Sequence, residues 1–252
     1  MTNKAVLTRS GRKRDIADKI VARAPSSFTT YVEPFVGSGD VYYAMDLQPG
    51  TKAVINDLDR QVYKAHKLLK KIKSIPDPYA YDMSDTELQS FVNKKQLAPI
   101  AQLVKILTRF AGGFAGRVAA ESKDAKLYGF PVPSTKLKRV EGISEYMKNT
   151  AVLNQDYKTV IKRYDSPGTF FYLDPPYSST AGEIYNKDEM NYEELANVLK
   201  GIKGKFLMSI NDSAEIRKLF NSFNLTSLTV KQKRTNIPGI APTRKELFIQ
   251  NY

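Results

Sequence analysis

One apolar, aromatic run that ends on an acid and two prolines constrains the fold of this chain most. The run covers Phe170 to Leu173, and Asp174, Pro175, Pro176 and Tyr177 follow it directly. Its composition is typical of a buried strand. Because proline cannot continue a strand ladder or enter a helix interior, the strand has to end at the acid. Ligands bind at the carboxyl ends of strands in open α/β sheets, so we expect Asp174 to line a ligand site.

The corner after this strand has the right groups to accept an amino group. A carboxylate and a neighbouring backbone carbonyl, here those of Asp174 and Pro175, can accept both hydrogens of one amine. The ring of Tyr177 can stack on a planar base. The corner therefore fits an exocyclic amine. A strand-ending turn that Asp174 merely caps is the alternative, and these few residues do not decide between the two.

Composition narrows the class of protein. The chain has 252 residues, 42% of them apolar, which suffices for one large α/β domain with a smaller insertion. A net charge of +13 indicates a polyanionic partner such as nucleic acid, without indicating a sequence preference. The absence of cysteine excludes disulfides, thiolate zinc sites and cysteine nucleophiles. The chain lacks a membrane-spanning run and a signal-peptide core, so we expect a soluble, intracellular, cytoplasmic protein.

A glycine turn near the N-terminus predicts a nucleotide-binding unit. A strand predicted over Phe28 to Val32 runs into the turn Glu33 to Gly39, and a helical pattern follows. Strand, glycine turn and helix open the βαβ units that bind nucleotides. Tyr42 stands where a dinucleotide motif needs its third glycine, and no Gly-Lys-Ser/Thr is present. Neither a nicotinamide cofactor nor ATP is therefore favoured.

Two further acids stand at the predicted ends of strands. Asp57 follows the strand Ala53 to Ile55, about 20 residues after the glycines, where carboxylates commonly accept hydrogen bonds from ribose hydroxyls. Capping of the helix that starts near Arg60 is the alternative role. Asp156 ends a short apolar strand predicted within residues 150–157. These acids predict a ligand site along one edge of the sheet.

Residues 62–149 have a different character, because they are basic and mainly helical. Their first helix contains the sole histidine, His66, whose Lys and Leu neighbours offer no metal partner, so we expect it to face solvent. Glycines, aromatics and cations later in this segment suit a surface that follows a DNA backbone. A plain helical lid with solvated charges is the alternative. The candidate DNA-contacting residues are Arg109, Arg117, Lys126, Lys136, Lys138 and Arg139, with Tyr185 and Asn186 in a later polar loop.

In this order the segments resemble the Dam-like (D12 class, alpha group) adenine-N6 DNA methyltransferases. In that group the glycine motif precedes the target-recognition region and the Asp-Pro-Pro-Tyr motif follows it. The resemblance implies a Rossmann-like α/β methyltransferase sheet formed by residues 1–61 and 150–252, with an inserted, mainly helical target-recognition subdomain over 62–149. The segments that carry it are Gly11 to Lys13, Phe35 to Gly39, Asn56 to Asp59, Asn154 to Tyr157, Asp174 to Tyr177, Ser209 to Asp212 and Glu246 to Tyr252.

The resemblance also implies S-adenosylmethionine as cofactor and double-stranded DNA as partner. It puts Lys13 near the methionine end of the cofactor, residues 35–39 around its aminoacyl part, Asp57 at the ribose and Asp156 at the adenine. The predicted cofactor-binding residues are Ser10, Lys13, Glu33, Pro34, Phe35, Gly37, Ser38, Gly39, Asp57, Asp156, Tyr157 and Asp174.

The expected reaction is methyl transfer to adenine N6, and no metal is required. The target base is flipped out of the duplex and stacked on Tyr177, while the Asp174 carboxylate and the Pro175 carbonyl accept its N6 hydrogens. Methylation of cytosine N4 or of adenine in RNA, and a catalytically silent nucleic-acid-binding protein, are the alternatives. The recognition region lacks the asparagine-rich patterns of GATC-specific relatives, so the target sequence is not carried over. Nothing in the sequence bears on a restriction endonuclease partner.

Overall fold

Seven strands form a single sheet in the computed structural model, which describes residues 5–9, 11–74, 99–112, 138–176, 190–231 and 243–252. The strands are β1 (Thr30–Glu33), β2 (Lys52–Asn56), β3 (Thr150–Leu153), β4 (Thr169–Leu173), β5 (Lys205–Asn211), β6 (Asn224–Lys231) and β7 (Thr243–Gln250). Their spatial order is β3-β2-β1-β4-β5-β7-β6. Neighbouring strands from β3 to β5 pair in parallel, and β7 is antiparallel to both β5 and β6.

Helices cover both faces of this sheet. They are α1 (Ala17–Val21), α2 (Asp40–Ala44), α3 (Arg60–Lys71), α4 (Pro99–Gly112), α5 (Ile143–Tyr146), α6 (Tyr157–Tyr164), α7 (Tyr192–Lys200) and α8 (Ala214–Leu219), with a 3₁₀ turn at Lys138–Val140. Successive strand residues point to opposite faces. Phe170 therefore packs in one hydrophobic cluster with residues of α1 to α5, and Phe171 in a second with α6 to α8. This two-sided α/β architecture confirms the predicted Rossmann-like fold.

The chain reverses its direction of travel across the sheet between β1 and β4. It runs outward from β1 through β2 to β3, then returns to place β4 beside β1, with Val32 opposite Phe171. The loops after β1 and β4 consequently diverge toward opposite faces and leave a crevice between them. The glycine turn follows β1 and Asp174 follows β4, so the strand order brings both predicted motifs to this crevice.

The described parts of residues 62–149 are joined to the sheet through the hydrophobic core. Leu69 of α3 and Leu103, Leu107 and Phe110 of α4 belong to the same buried cluster as Phe170. The regular structure described between residues 62 and 149 is helical. The division into a catalytic domain and a separate recognition subdomain stays a prediction. None of the helices that the structure describes is long and apolar enough to cross a membrane.

Candidate active site

Asp174 lies at the carboxyl end of β4 and forms an ion pair with Lys13. The Nζ atom of Lys13 lies 2.6 Å from Oδ1 of Asp174, and it also donates a hydrogen bond to the Gly11 carbonyl at 3.2 Å. The Lys13 side chain is 3% exposed and that of Asp174 is 20% exposed. Burial raises the pKa of Asp174 to about 6, against the opposing charge of Lys13. The predicted cofactor-site lysine and the predicted catalytic acid are thus in direct contact.

The backbone after Asp174 leaves the Pro175 carbonyl available. The Pro176 carbonyl accepts a short hydrogen bond from the Tyr192 hydroxyl. The Pro175 carbonyl accepts no hydrogen bond from the described part of the chain. A carboxylate and an available carbonyl therefore stand side by side after β4. Tyr177 lies outside the described residues.

Glu33 is the second acid at this edge of the sheet, at the end of β1. It is 2% exposed and accepts a hydrogen bond of 2.8 Å from the Tyr31 hydroxyl. Burial raises the pKa of Glu33 well above its usual range, and the neighbouring charge of Asp174 raises it further. Two carboxyl groups thus share the crevice, with Lys13 beside one of them.

The two glycines of the turn after β1 are required for different reasons. Both have left-handed backbone, with φ of 48° at Gly37 and 77° at Gly39. A Cβ atom on Gly39 would lie 2.7 Å from Cε2 of Tyr43, whereas one on Gly37 would meet no described atom within 4 Å. Gly39 is therefore packed against its own helix, and Gly37 borders open space.

Asp57 holds the glycine turn and does not cap the next helix. Its Oδ2 accepts the Gly37 N–H at 2.9 Å, and its Oδ1 accepts the Asp59 N–H at 2.9 Å. The N-cap of α3 is Asp59, whose side chain accepts the Gln61 N–H at 2.8 Å. The alternative role of Asp57 as a helix cap is therefore wrong. Burial raises the pKa of Asp57, and Arg9 opposes this rise.

A buried asparagine that the sequence analysis did not single out joins the loops after three strands. The Asn56 side-chain amide donates to the carbonyls of Pro34 and Gln155, both at 2.9 Å, and its oxygen accepts the Gln155 N–H at 2.9 Å. The Asn56 carbonyl accepts the Val36 N–H at 2.8 Å. The position of Asn56 at the end of a predicted strand is the sequence feature that could have identified it. Asn56 sets the spacing of the loops that carry the predicted cofactor residues.

Apolar groups and an exposed acid lie along the β2 and β3 side of the crevice. The rings of Phe35 and Tyr157 lie 5.3 Å apart between centroids. Leu58, directly after Asp57, is 68% exposed, which is unusual for leucine. Asp156 is exposed and caps α6 by accepting the Lys158 N–H at 2.9 Å.

Two arginines join the N-terminal loop to the start of α2 and to the loop after β2. Arg12 forms two hydrogen bonds to Asp40 at the start of α2, of 2.9 and 2.6 Å, and Ser38 donates to the same carboxylate at 2.7 Å. Arg9 contacts Asp59 at 2.6 Å. Ser10 and Lys13 of this loop were predicted as cofactor-binding residues, whereas no contact was predicted for Arg9 or Arg12. Paired arginine and carboxylate residues far apart in sequence give no local signal.

The prediction that His66 faces solvent is wrong. His66 is fully buried on α3, with Nε2 3.0 Å from the Gly37 carbonyl oxygen and Nδ1 3.2 Å from the Tyr43 hydroxyl. Burial lowers its pKa to about 4. Val62, His66 and Leu69 share one buried face of α3, and on this face His66 contacts the glycine turn.

Of the remaining predicted residues, some lie within the described ranges and others do not. Arg109 is half-buried in the last turn of α4, and Lys138 and Arg139 lie in the 3₁₀ turn. Their contact with DNA stays a prediction. Within the described ranges, no group of three or more His, Cys, Asp and Glu side chains is arranged to hold a metal ion. Ser10, Arg117, Lys126, Lys136, Tyr185 and Asn186 lie outside the described residues.

Known proteins match this chain over nearly its whole length. A Type II methyltransferase, M1.LlaDCHI of Lactococcus lactis subsp. cremoris, is 24% identical over 96% of this chain and 93% of its own. The Type II methyltransferase M.CviBI of Paramecium bursaria Chlorella virus NC1A is 25% identical over 99% of this chain and 100% of its own. A solved putative RNA methyltransferase from Pyrococcus horikoshii is 9% identical with a TM-score of 0.47, covering 97% of this chain and 86% of that one.

The family comparison is more specific than these pairwise matches. Residues 10–237 match the model of the D12 class N6 adenine-specific DNA methyltransferases. The matched range contains the glycine turn, residues 62–149 and the Asp-Pro-Pro-Tyr corner. The chain therefore belongs to the D12 class N6 adenine-specific DNA methyltransferase family, and its cofactor is S-adenosylmethionine.

Proposed function

We propose that this enzyme methylates N6 of an adenine that has been flipped out of double-stranded DNA, within a specific site recognised by residues 62–149. The observation that carries the proposal is the position of Asp174 beside Lys13 in the crevice that the glycine turn also borders. Extrusion of the base is needed because N6 of a stacked, paired adenine is not accessible to groups at the edge of a protein sheet.

The residues of the crevice fit S-adenosylmethionine. Gly37 leaves space that no described atom fills, which lets a ligand approach the turn closely. Lys13 supplies a cation for the cofactor's carboxylate, and the acid Asp57 stands where ribose hydroxyls need an acceptor. Exposed Leu58 and the ring pair of Phe35 and Tyr157 offer apolar surface for the adenine. We assign the cofactor to this side of the crevice, with Asp156 at its adenine end.

When bound, the cofactor supplies an electrophilic methyl group on a sulfonium. The task left to the protein is to activate and aim adenine N6, whose lone pair is delocalised into the ring. Hydrogen bonds from both N6 hydrogens to the Asp174 carboxylate and the Pro175 carbonyl favour a pyramidal nitrogen, and its lone pair then points out of the ring plane. Lys13 is paired with Oδ1, so we assign Oδ2 of Asp174 to the target base. Positioning and electrostatics supply the rate enhancement.

Tyr177 completes the proposed site by stacking on the flipped adenine. An aromatic face next to the acceptors would hold the base in the plane in which both N6 hydrogen bonds are made. On this proposal, Tyr177→Ala weakens the handling of the flipped base more than it weakens cofactor binding. Fluorescence of 2-aminopurine at the target position would report the first property, and calorimetry with S-adenosylhomocysteine the second.

The central test is to replace Asp174 by alanine and by asparagine. Both changes remove the ionised acceptor, and we expect methyl transfer to fall by at least about 10²-fold, the cost of losing a preorganised electrostatic partner. Tritiated-methyl transfer to DNA measures this, and nucleoside mass spectrometry of the product distinguishes N6-methyladenine from N4-methylcytosine. Binding of S-adenosylhomocysteine should largely survive. Substantial methyl transfer by Asp174→Ala would overturn the role assigned to Asp174. Detection of N4-methylcytosine as the product would show that the target base is cytosine and not adenine.

A further inference from the structure

The sole histidine of the chain lies directly beneath the glycine turn and bonds to it. The Nε2 atom of His66 lies 3.0 Å from the Gly37 carbonyl oxygen. A carbonyl oxygen can only accept, so Nε2 must carry the ring hydrogen and Nδ1 must be an acceptor. The Tyr43 hydroxyl lies 3.2 Å from Nδ1 and 3.4 Å from Sδ of Met147, and its single hydrogen goes to Nδ1 because a ring nitrogen is a stronger acceptor than a thioether sulfur. The contacts of His66 therefore fix both its orientation and its tautomer.

The hydrogen bond from His66 sets the direction of the peptide between Gly37 and Ser38. In a trans peptide the C=O and N–H groups are nearly antiparallel, and no described peptide bond is cis. Since the Gly37 carbonyl points to His66 in the core, the Ser38 N–H points the other way. That N–H has no hydrogen-bond partner in the described part of the chain. The unpaired donor thus faces away from the core, next to the space beside Gly37.

Gly37 is held from its other side as well. Its own N–H donates to Oδ2 of Asp57 at 2.9 Å. Its backbone is left-handed, with φ of 48°, a conformation that glycine adopts readily but does not by itself prefer. Two contacts, one from the end of β2 and one from α3, therefore select this conformation among those open to glycine.

We propose that His66 is a positioning residue for the cofactor, which turns the Ser38 N–H toward an acceptor atom of the cofactor's aminoacyl end. The inference rests on the cofactor site proposed above. His66 does not touch the cofactor or the target base. A donor that is already oriented costs no reorganisation on binding, so loss of His66 weakens cofactor affinity and leaves the chemistry of the Asp174 corner unchanged.

The histidine state can be tested in the wild-type enzyme, because a single histidine gives a single imidazole signal. In ¹⁵N-labelled, tag-free protein, the two ring nitrogens should show the pattern of the Nε2–H tautomer. Burial lowers the pKa of His66 to about 4, so the signals should not titrate at neutral or mildly acidic pH. A ring that carries its hydrogen on Nδ1 would overturn the proposal.

Substitutions at position 66 test the consequence for the cofactor. We expect His66→Leu, which cannot donate, to weaken S-adenosylhomocysteine binding about tenfold and to raise the KM for S-adenosylmethionine with kcat little changed. His66→Gln can donate to the Gly37 carbonyl through its side-chain amide and should restore most of the affinity. Tyr43→Phe, which frees the ring of His66, should give an intermediate loss.

Leu69→Val is the matched control, since it perturbs the same buried face of α3 but removes no hydrogen bond to the Gly37 carbonyl. It should lower the unfolding temperature and leave the calorimetric affinity of the folded protein unchanged. Wild-type affinity for S-adenosylhomocysteine in Tyr43→Phe would overturn the inference even if His66→Leu does not fold. The proposed function is tested separately by Asp174→Asn. If that variant binds S-adenosylhomocysteine but does not transfer methyl groups, and Tyr43→Phe keeps the wild-type affinity, the inference about His66 is refuted and the proposed function is not.

Discussion

Asp174 experiences two opposing effects on its charge. Removal from water favours the protonated acid, and the ammonium group of Lys13 at 2.6 Å favours the carboxylate. Burial is the larger effect, so the pKa of Asp174 is raised to about 6. Only the ionised form presents two acceptor oxygens. The acid is therefore ionised at neutral pH but within reach of protonation under mildly acidic conditions.

This balance predicts the acid side of the pH profile. We expect kcat/KM for DNA, measured at saturating cofactor, to fall tenfold per pH unit below about 6, because protonation removes the carboxylate charge that accepts the N6 hydrogen assigned to Oδ2 of Asp174. Lys13→Gln removes the charge that lowers this pKa, so its acid limb should move to higher pH. Lys19→Gln removes an equal charge from an exposed position on α1 and should not move the limb. A limb that stays in place in Lys13→Gln would contradict the assignment.

The histidine shows which residue properties could be predicted and which could not. Asp174 and Lys13 were identified from motifs, but their contact was not, because it joins segments far apart in the chain. His66 was judged by its sequence neighbours, several of which are lysines. Its position on the same helix face as Val62 and Leu69 was the better guide, because the buried residues of a helix are spaced three or four apart and need not be sequence neighbours.

At the scale of elements, the two glycines of the turn after β1 lead to different predictions, one for stability and one for cofactor binding. Gly37→Ala introduces left-handed strain of about 1–2 kcal/mol, and its Cβ occupies the open space assigned to the cofactor. Gly39→Ala adds a Cβ 2.7 Å from the Tyr43 ring to comparable strain. We therefore expect Gly39→Ala to lower the free energy of unfolding more, and Gly37→Ala to impair S-adenosylhomocysteine binding relative to its stability. Denaturant unfolding and calorimetry measure the two quantities.

The reverse order of effects would show that the open side of Gly37 is not a ligand surface. A Gly37→Ala protein that binds S-adenosylhomocysteine as tightly as the wild type is the specific contradicting result. Gly50→Ala serves as a control, because Gly50 also has positive φ, at 90°, and no described atom lies within 4 Å of its Cβ position. It stands in the loop before β2 and should show the strain without the loss of binding.

The strands β1 to β4 could be predicted because each contains a short apolar run that ends at a polar or turn-forming residue. This apolar pattern can be recognised in the sequence alone, without knowing which strands pair. The links between the strands are not local. Asn56 joins loops that lie 22 and 99 residues away in sequence, and Arg12 reaches Asp40 across 28 residues. Such contacts follow from the strand order, which the apolar pattern does not specify.

At the scale of the whole molecule, the strand order and the net charge have separate functions. The reversal between β1 and β4 brings the glycine turn and the Asp174 corner to one crevice. The charge of +13 acts on DNA over longer distances and carries no sequence information. Binding of the cofactor and binding of DNA should therefore respond differently to salt.

This difference gives a prediction for the basic residues of segment 62–149. Each phosphate contact contributes about 0.9 to the slope of log affinity against log salt. If Lys138 and Arg139 each contact one phosphate, the double variant Lys138→Gln, Arg139→Gln should lower the slope by about 1.8. Fluorescence anisotropy with a duplex across a salt series measures the slope. The affinity for S-adenosylhomocysteine should change little in either protein over the same series.

The control removes two charges from the opposite edge of the sheet. Lys200 and Lys203 are exposed between α7 and the amino end of β5, whereas the proposed site lies at the carboxyl ends of the parallel strands. The double variant Lys200→Gln, Lys203→Gln lowers the net charge by the same amount and should keep the wild-type slope. Equal slopes in the two double variants would mean that total charge, and not contact by this segment, controls DNA affinity. A reduced slope in the first variant alone would assign its two cations to the DNA-contacting surface.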